Sequence, residues 1–207
     1  NYAMNQPLSE KVYARLAQYH SLLIEYIEDK IPTISSPQIA TRLGVDDSQV
    51  RKDFKLLNNE GRGRVGYDVQ ALKESIEDTL GFQKVKNAFI VGAGHLGMAL
   101  ANYSAFSDYG LNILALFDSA PEKVGTAVNG KPIYPVSRLS ELARESQADI
   151  AILTVPRAFA QKVADDLVKA DFKYIWNFTP AILKVPDGIK VRNENLVAGF
   201  LQFANQD

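Results

Sequence analysis

Apolar positions fall into two regimes along the chain. Over residues 9–29 they recur as Val12, Leu16, Tyr19, Leu22, Leu23, Tyr26 and Ile27, the three-and-four spacing of one stripe on a long amphipathic helix. Residues 34–45 carry a shorter version: Ser36 is placed to cap, Pro37 to take the first helical position, and Gly44 to stop the helix. Asp46 and Asp47 then supply capping carboxylates, with Gln49 three residues after Asp46, and Val50, Phe54 and Leu57 share one face of the next helix. A further amphipathic helix is predicted over residues 68–81, ended by Gly81.

From Asn87 onward the pattern changes to short continuous apolar runs separated by helical periods. Strands are predicted over residues 87–91, 111–117, 148–155 and 174–178, and helices over 96–106, 137–146 and 158–169. Asn129-Gly130 between Val128 and Ile133 predicts a small hairpin. That alternation implies an α/β domain with a doubly wound parallel sheet. The last segment, residues 196–204, is apolar on two faces and needs a partner surface, so it reads as a packing or dimerisation helix.

The junction of first strand and first helix is the most informative stretch. An apolar run rich in β-branched and aromatic residues feeds directly into Gly92, Gly94 and Gly97. In a dinucleotide site the first glycine permits the tight turn, the second lets a pyrophosphate approach the backbone, and the third lets helix and strand pack closely. His95 and Leu96 lie inside the loop. Asp118 stands 21 residues after Gly97 at the end of the second apolar run, where a carboxylate accepts from ribose hydroxyls. Ligands of such sheets lie beyond the carboxyl ends of the strands, which adds Thr154, Val155 and Pro156, with Asn177 and Phe178, to the expected border. Tyr103 and Phe106, near one another on the first helix, are candidate cofactor neighbours, although packing accounts for them equally well.

The helix, tight turn, helix arrangement of the N-terminal third suggests a helix-turn-helix whose second helix enters the major groove by its N-terminal end. Ser48, Gln49, Arg51 and Lys52 are the candidate contacts: Gln and Arg suit base edges, and Lys suits phosphate. A solvated face explains charged residues on a short helix too, but a wing-like stretch follows in which Arg62 and Arg64 stand among three glycines. From Arg51 to Tyr67 there are five basic and two acidic residues.

Composition narrows the classes. The 207 residues suit two small domains, 4–81 and 82–207, with the natural start expected at Met4. With 46% hydrophobic residues, 23% charged residues and a net charge of −1, the chain is an ordinary globular one, and any attraction to nucleic acid must be local. The absence of cysteine excludes disulfides and thiolate chemistry and is compatible with the cytoplasm. Neither a signal peptide nor an apolar run near membrane-spanning length occurs, so no membrane association is expected. Catalytic groups are scarce: His20 lies within the first helix, His95 within the glycine loop, and no metal-ligand spacing exists. A cofactor sensor is therefore preferred over an enzyme, with an NAD- or coenzyme A-binding enzyme or subunit as the alternative.

Several stretches together resemble the Rex family of redox-sensing transcriptional repressors: Ile34-Ser35-Ser36, Leu43-Gly44-Val45, Gln49-Val50-Arg51-Lys52-Asp53, Gly66-Tyr67-Asp68-Val69, Val91-Gly92-Ala93-Gly94 with Leu96-Gly97, Phe117-Asp118, Thr154-Val155-Pro156, Ala160-Gln161, Asn177-Phe178 with Pro180, and Val185-Pro186. The resemblance implies an N-terminal winged helix-turn-helix domain joined to a Rossmann-like domain. It further implies a homodimer in which the C-terminal helix is swapped between subunits, palindromic operator DNA as partner, and release from that DNA by NADH with NAD⁺ competing. It places the recognition helix on Gln49, Arg51 and Lys52, the pyrophosphate on Gly92, Gly94 and Gly97, and the adenosine ribose on Asp118. A redox relay is implied at Arg15, Tyr103 and Asn195. The family's pattern has an aspartate at the last of these, an asparagine in place of His95, and a different wing, so a redox-unresponsive member is a second alternative. No arginine comes directly after Asp118, where Ser119 and Ala120 stand, which favours NAD(H) over its phosphorylated form.

Overall fold

A computed structural model describes residues 7–57 and 66–206. Met4, Arg62 and Arg64 lie outside the described residues. The chain divides into two compact units, Asn1–Gln83 and Lys84–Asp207.

In the first unit, helix α1 (Glu10–Glu28) starts where the Ser9 hydroxyl accepts from the Val12 N–H. Helix α2 (Ser36–Leu43) is capped by Ser35, one residue earlier than expected, because Ser35 and Gln38 form a reciprocal capping box and Ser36 is buried. Gly44, at φ +66°, makes the turn into α3 (Asp47–Lys55). Asp46 is the cap residue of α3 but makes no side-chain cap bond, and Gln49 does not reach back to it. The expected box fails because Gln49 has a stronger partner, the Asp53 carboxylate. Two short strands, β1 (Thr33–Ile34) and β2 (Tyr67–Asp68), pair antiparallel, and α4 (Val69–Leu80) follows, capped by Asp68. The core joins Leu16, Leu23, Ile39, Val50, Phe54 and Ile76, with Phe54 edge-on between Tyr19 and Tyr67.

The second unit is a sheet of seven strands. These are β3 (Lys86–Val91), β4 (Leu111–Asp118), β5 (Ala127–Val128), β6 (Lys131–Pro135), β7 (Ile150–Leu153), β8 (Tyr174–Asn177) and β9 (Lys190–Asn193). Their order is β5-β6-β4-β3-β7-β8-β9, parallel throughout except for the β5–β6 hairpin. Strand β9 is an element the sequence reading missed, since its Lys-Val-Arg-Asn run carries only one apolar residue. The predicted helix over 96–106 is two pieces, α5 (His95–Ala101) and α6 (Ala105–Asp108). Asn102 separates them, its side chain donating back to the Met98 carbonyl. Helices α7 (Leu139–Ser146, after a 3-10 turn), α8 (Arg157–Lys169) and α9 (Leu196–Ala204) complete the unit. Alternate residues of β3 feed opposite cores, Phe89 and Val91 one and Ala88 and Ile90 the other, so both faces of the sheet are covered. The chain leaves β3 toward β4 on one side and reaches β7 on the other. That reversal opens a crevice at the carboxyl ends of β3 and β7.

Candidate functional site

The crevice is closed below by the glycine turn. Gly92 sits at φ +112°, and its N–H donates to the Phe117 carbonyl at 2.8 Å. Thr154, immediately past β7, donates its hydroxyl to the Gly92 carbonyl at 2.8 Å. A Cβ on Gly92 would lie 2.6 Å from the Thr154 oxygen, and one on Gly97 would run into the Gly92 carbonyl. Both glycines thus serve the close approach of α5, the turn and β7. At Gly94, by contrast, a Cβ would meet nothing within 4 Å.

Asp118 accepts from the Ala93 N–H on Oδ2 and from the Ala120 N–H on Oδ1, both at 2.8 Å. Lys123 Nζ donates to the Ala93 carbonyl at 2.8 Å, so the Ala93 residue is held through both its N–H and its carbonyl. Sequence reasoning missed Lys123, whose only signal was its place five residues beyond Asp118. Above the turn lies a cavity of about 840 Å³ that brings together Gly92, Gly94, Asp118, Thr154, Val155 and Pro156, with Lys123, Phe159 and Lys162 in addition. Gly97 is buried beneath the turn, while His95 and Leu96 are exposed on the first turn of α5. Tyr103 and Phe106 meet edge to face at 4.9 Å and border a separate cavity of about 160 Å³. Asn177 and Phe178 do not line the large cavity. Asn177 is buried, tying Asn193, Ala181 and Thr179 together, and Phe178 packs on Trp176.

In the first unit α3 presents Ser48, Arg51 and Lys52 to solvent, with Gln49 half-buried. Arg51 is 3.3 Å from Asp47, an exposed pair that costs little to break. Behind this face Asp53 is 1% exposed. Its carboxylate accepts from Arg15 Nε at 2.7 Å and Nη2 at 3.0 Å, from the Tyr19 hydroxyl at 2.5 Å, and from Gln49 Nε2 at 2.9 Å. Burial pushes the Asp53 carboxyl up, but the hydrogen bonds from Arg15, Tyr19 and Gln49 outweigh it and hold it below the ordinary carboxylate range. Burial and the adjacent carboxylate push the Tyr19 hydroxyl up. His20 is buried and ties α1 to α4 through Glu77, which also holds Lys73.

Of the expected relay residues, Arg15 is engaged with Asp53, and Tyr103 is exposed beside Phe106. The Asn195 side chain caps α9 by accepting from the Ala198 N–H at 3.0 Å. Its neighbour Glu194 instead accepts from Trp176 Nε1 and Arg192. Helix α9 exposes Leu196, Val197, Phe200, Leu201 and Phe203. Among the described residues no helix is long and apolar enough to cross a membrane.

Comparison with known proteins agrees with this two-part organisation. Residues 7–55 match the family model described as "Putative DNA-binding protein N-terminus", and residues 83–181 the model described as "CoA binding domain". The chain is 41% identical over 186 residues to the redox-sensing transcriptional repressor Rex of Treponema denticola, covering 90% of this chain and 89% of that one. It is 36% identical over 192 residues to a Rex of Clostridium botulinum, covering 93% and 91%. Among solved structures, it superposes on RSP, a Rex-family repressor, in complex with beta-NAD⁺ and operator DNA with a TM-score of 0.89 at 34% identity, covering 97% of this chain and 92% of that one. The complex of RSP with beta-NADH gives a TM-score of 0.86 at 34% identity, covering 97% and 94%.

Proposed function

The chain belongs to the Rex family of redox-sensing transcriptional repressors, and from that premise we propose that it is a homodimeric, cytoplasmic repressor that leaves operator DNA when NADH occupies its C-terminal unit. The observation that carries this reading is the presence in one chain of a helix-turn-helix with an exposed Ser48, Arg51 and Lys52 face and a cavity floored by the Gly92 turn.

The cavity residues fit a dinucleotide. Gly94 leaves open the space above the turn, and Lys123 and Lys162 offer cations for a pyrophosphate. Each Asp118 oxygen has one backbone donor and keeps a lone pair for a ribose hydroxyl, while the negative charge disfavours a 2′-phosphate. When bound, the cofactor supplies a nicotinamide ring that is cationic when oxidised and neutral when reduced. Thr154, Asp118 and Lys123 keep the turn fixed in advance of binding. The naming of relatives 41% and 36% identical to this chain as transcriptional repressors supports a sensor rather than an enzyme.

On DNA, Arg51 and Gln49 are the base readers and Lys52 a phosphate contact, with Arg62 and Arg64 as wing contacts. Two-fold symmetry of the protein requires a palindromic operator with half-sites spaced by whole helical turns. The exposed apolar face of α9 supports its burial in a partner subunit. Release by NADH requires only that the cofactor bind the DNA-free arrangement more tightly than the DNA-bound one.

The test is titration of NADH, NAD⁺ and NADPH into the protein on a palindromic duplex at fixed salt. Release by NADH, opposed by NAD⁺, is expected. Release by NADPH alone, or binding to no duplex at any ratio, sinks the reading. One observation favours a second reading, a member whose response to NADH is weakened: Asn195 keeps the cap on α9 but offers no charge to an arginine.

A further inference from the structure

We propose that Asp53 is a positioning residue that sets the base preference of α3 by holding the Gln49 carboxamide in one orientation, with Arg15 and Tyr19 of α1 holding Asp53 in turn. The proposal rests on the reading of α3 as the recognition helix.

A carboxylate only accepts hydrogen bonds, so the end of Gln49 that faces it must be the NH₂ end. A free glutamine side chain exchanges its oxygen and nitrogen by a half-turn of the amide and presents either pattern to a base. Here the flipped amide would set its oxygen against a buried anion, which removes that alternative. What remains toward the DNA side is one N–H and the carbonyl oxygen, the complement of the donor and acceptor on the adenine edge.

The carboxylate itself is fixed. Four hydrogen bonds converge on it, filling the acceptor sites of its two oxygens, and the arginine contact is two-pronged. Arg15 and Tyr19 stand one turn apart on α1, so the anchor reaches α3 from a helix far away in sequence. A buried ion pair adds little net stability compared with apolar packing of the same volume, and fixing a unique geometry is a role that packing alone would not supply.

The experiment uses the full chain and a library of randomised palindromic duplexes. Wild type is used to enrich an operator, and all four base pairs are then compared at each half-site position for wild type, Gln49→Ala, Asp53→Asn and the double variant. Wild type is expected to prefer A·T at one symmetric position by about tenfold or more. Gln49→Ala and Asp53→Asn should each lose that preference, and the double variant should lose nothing further. A preference in Asp53→Asn equal to wild type overturns the proposal, and so does a loss spread evenly over all positions, which is what a purely structural role predicts. Should Asp53→Asn not melt cooperatively, Tyr19→Phe, which removes one donor and keeps the ring, is read in its place: weakened discrimination at the same position supports the proposal, and an unchanged profile overturns it. Enrichment of no sequence by wild type overturns the operator-binding reading and this proposal together. An enriched operator whose profile the Asp53 variant copies overturns this proposal alone.

Discussion

Two alanine substitutions three residues apart separate the architecture of the glycine turn from its use. A Cβ at Gly97 would lie 2.9 Å from Thr154 Oγ1 and 3.0 Å from the Gly92 carbonyl carbon, and closer still to the Gly92 oxygen. Those neighbours are mostly backbone, pinned by Phe117 and Thr154, so α5 must back away by on the order of 1 Å in a region packed at crystal density. Overpacking of this kind costs about 1–3 kcal/mol, and a rigid backbone neighbour places this case at the upper end. Alanine recovers about 1 kcal/mol of helix propensity within α5, leaving a net loss of about 2 kcal/mol. For a unit of this size that lowers Tm by roughly 6–12 °C. Gly94→Ala meets no protein atom and costs at most about 1 kcal/mol, through its position as the α5 cap. Its Cβ occupies the space proposed for the pyrophosphate, so NADH affinity should fall at least tenfold. The assay is calorimetric melting without cofactor, paired with NADH titration followed through the single tryptophan, Trp176. A Gly97→Ala protein that melts with wild type refutes the close approach of α5. Unchanged NADH affinity in Gly94→Ala refutes the phosphate placement.

Other consequences can be checked independently. Lys123→Met frees the Ala93 carbonyl and removes a cation from the cavity, so NADH binding should weaken about tenfold and lose part of its salt dependence; equal binding and equal salt slope would show that Lys123 only packs. Asp53 is held below its unfolded value, so its contribution to stability is complete above the ordinary carboxylate range and is lost as pH falls through that range toward the folded value. Acid melts of wild type should therefore be steeper below about pH 4 than those of Asp53→Asn; parallel curves contradict the depressed carboxyl. Asn195→Asp preserves the α9 cap and adds a charge, so it should leave stability within about 1 kcal/mol and raise sensitivity to NADH; an unaltered titration removes this position from the switch. Phe200→Glu with Phe203→Glu should convert a dimer to a monomer in sedimentation, and a persisting dimer places the interface elsewhere.

The sequence alone determined whatever depends on neighbours a few residues apart. Apolar periodicity delimited α1, α4, β3 and β4, and Asn129-Gly130 marked the hairpin, because side-chain period and turn chemistry are local properties. The residues flooring the cavity were legible for the same reason: a strand, three glycines and a helix are contiguous. The tertiary structure decided what depends on partners far along the chain. Gln49 abandons a local cap for Asp53, whose other donors, Arg15 and Tyr19, lie 38 and 34 residues away. Asp118 is engaged first by the Ala93 N–H, 25 residues earlier, and Lys123 by the Ala93 carbonyl, 30 residues earlier. Strand β9 carries no periodicity of its own and exists because the edge of β8 offers it unpaired backbone groups. A polar group takes the best partner the fold brings within reach, and only the fold determines which groups come within reach.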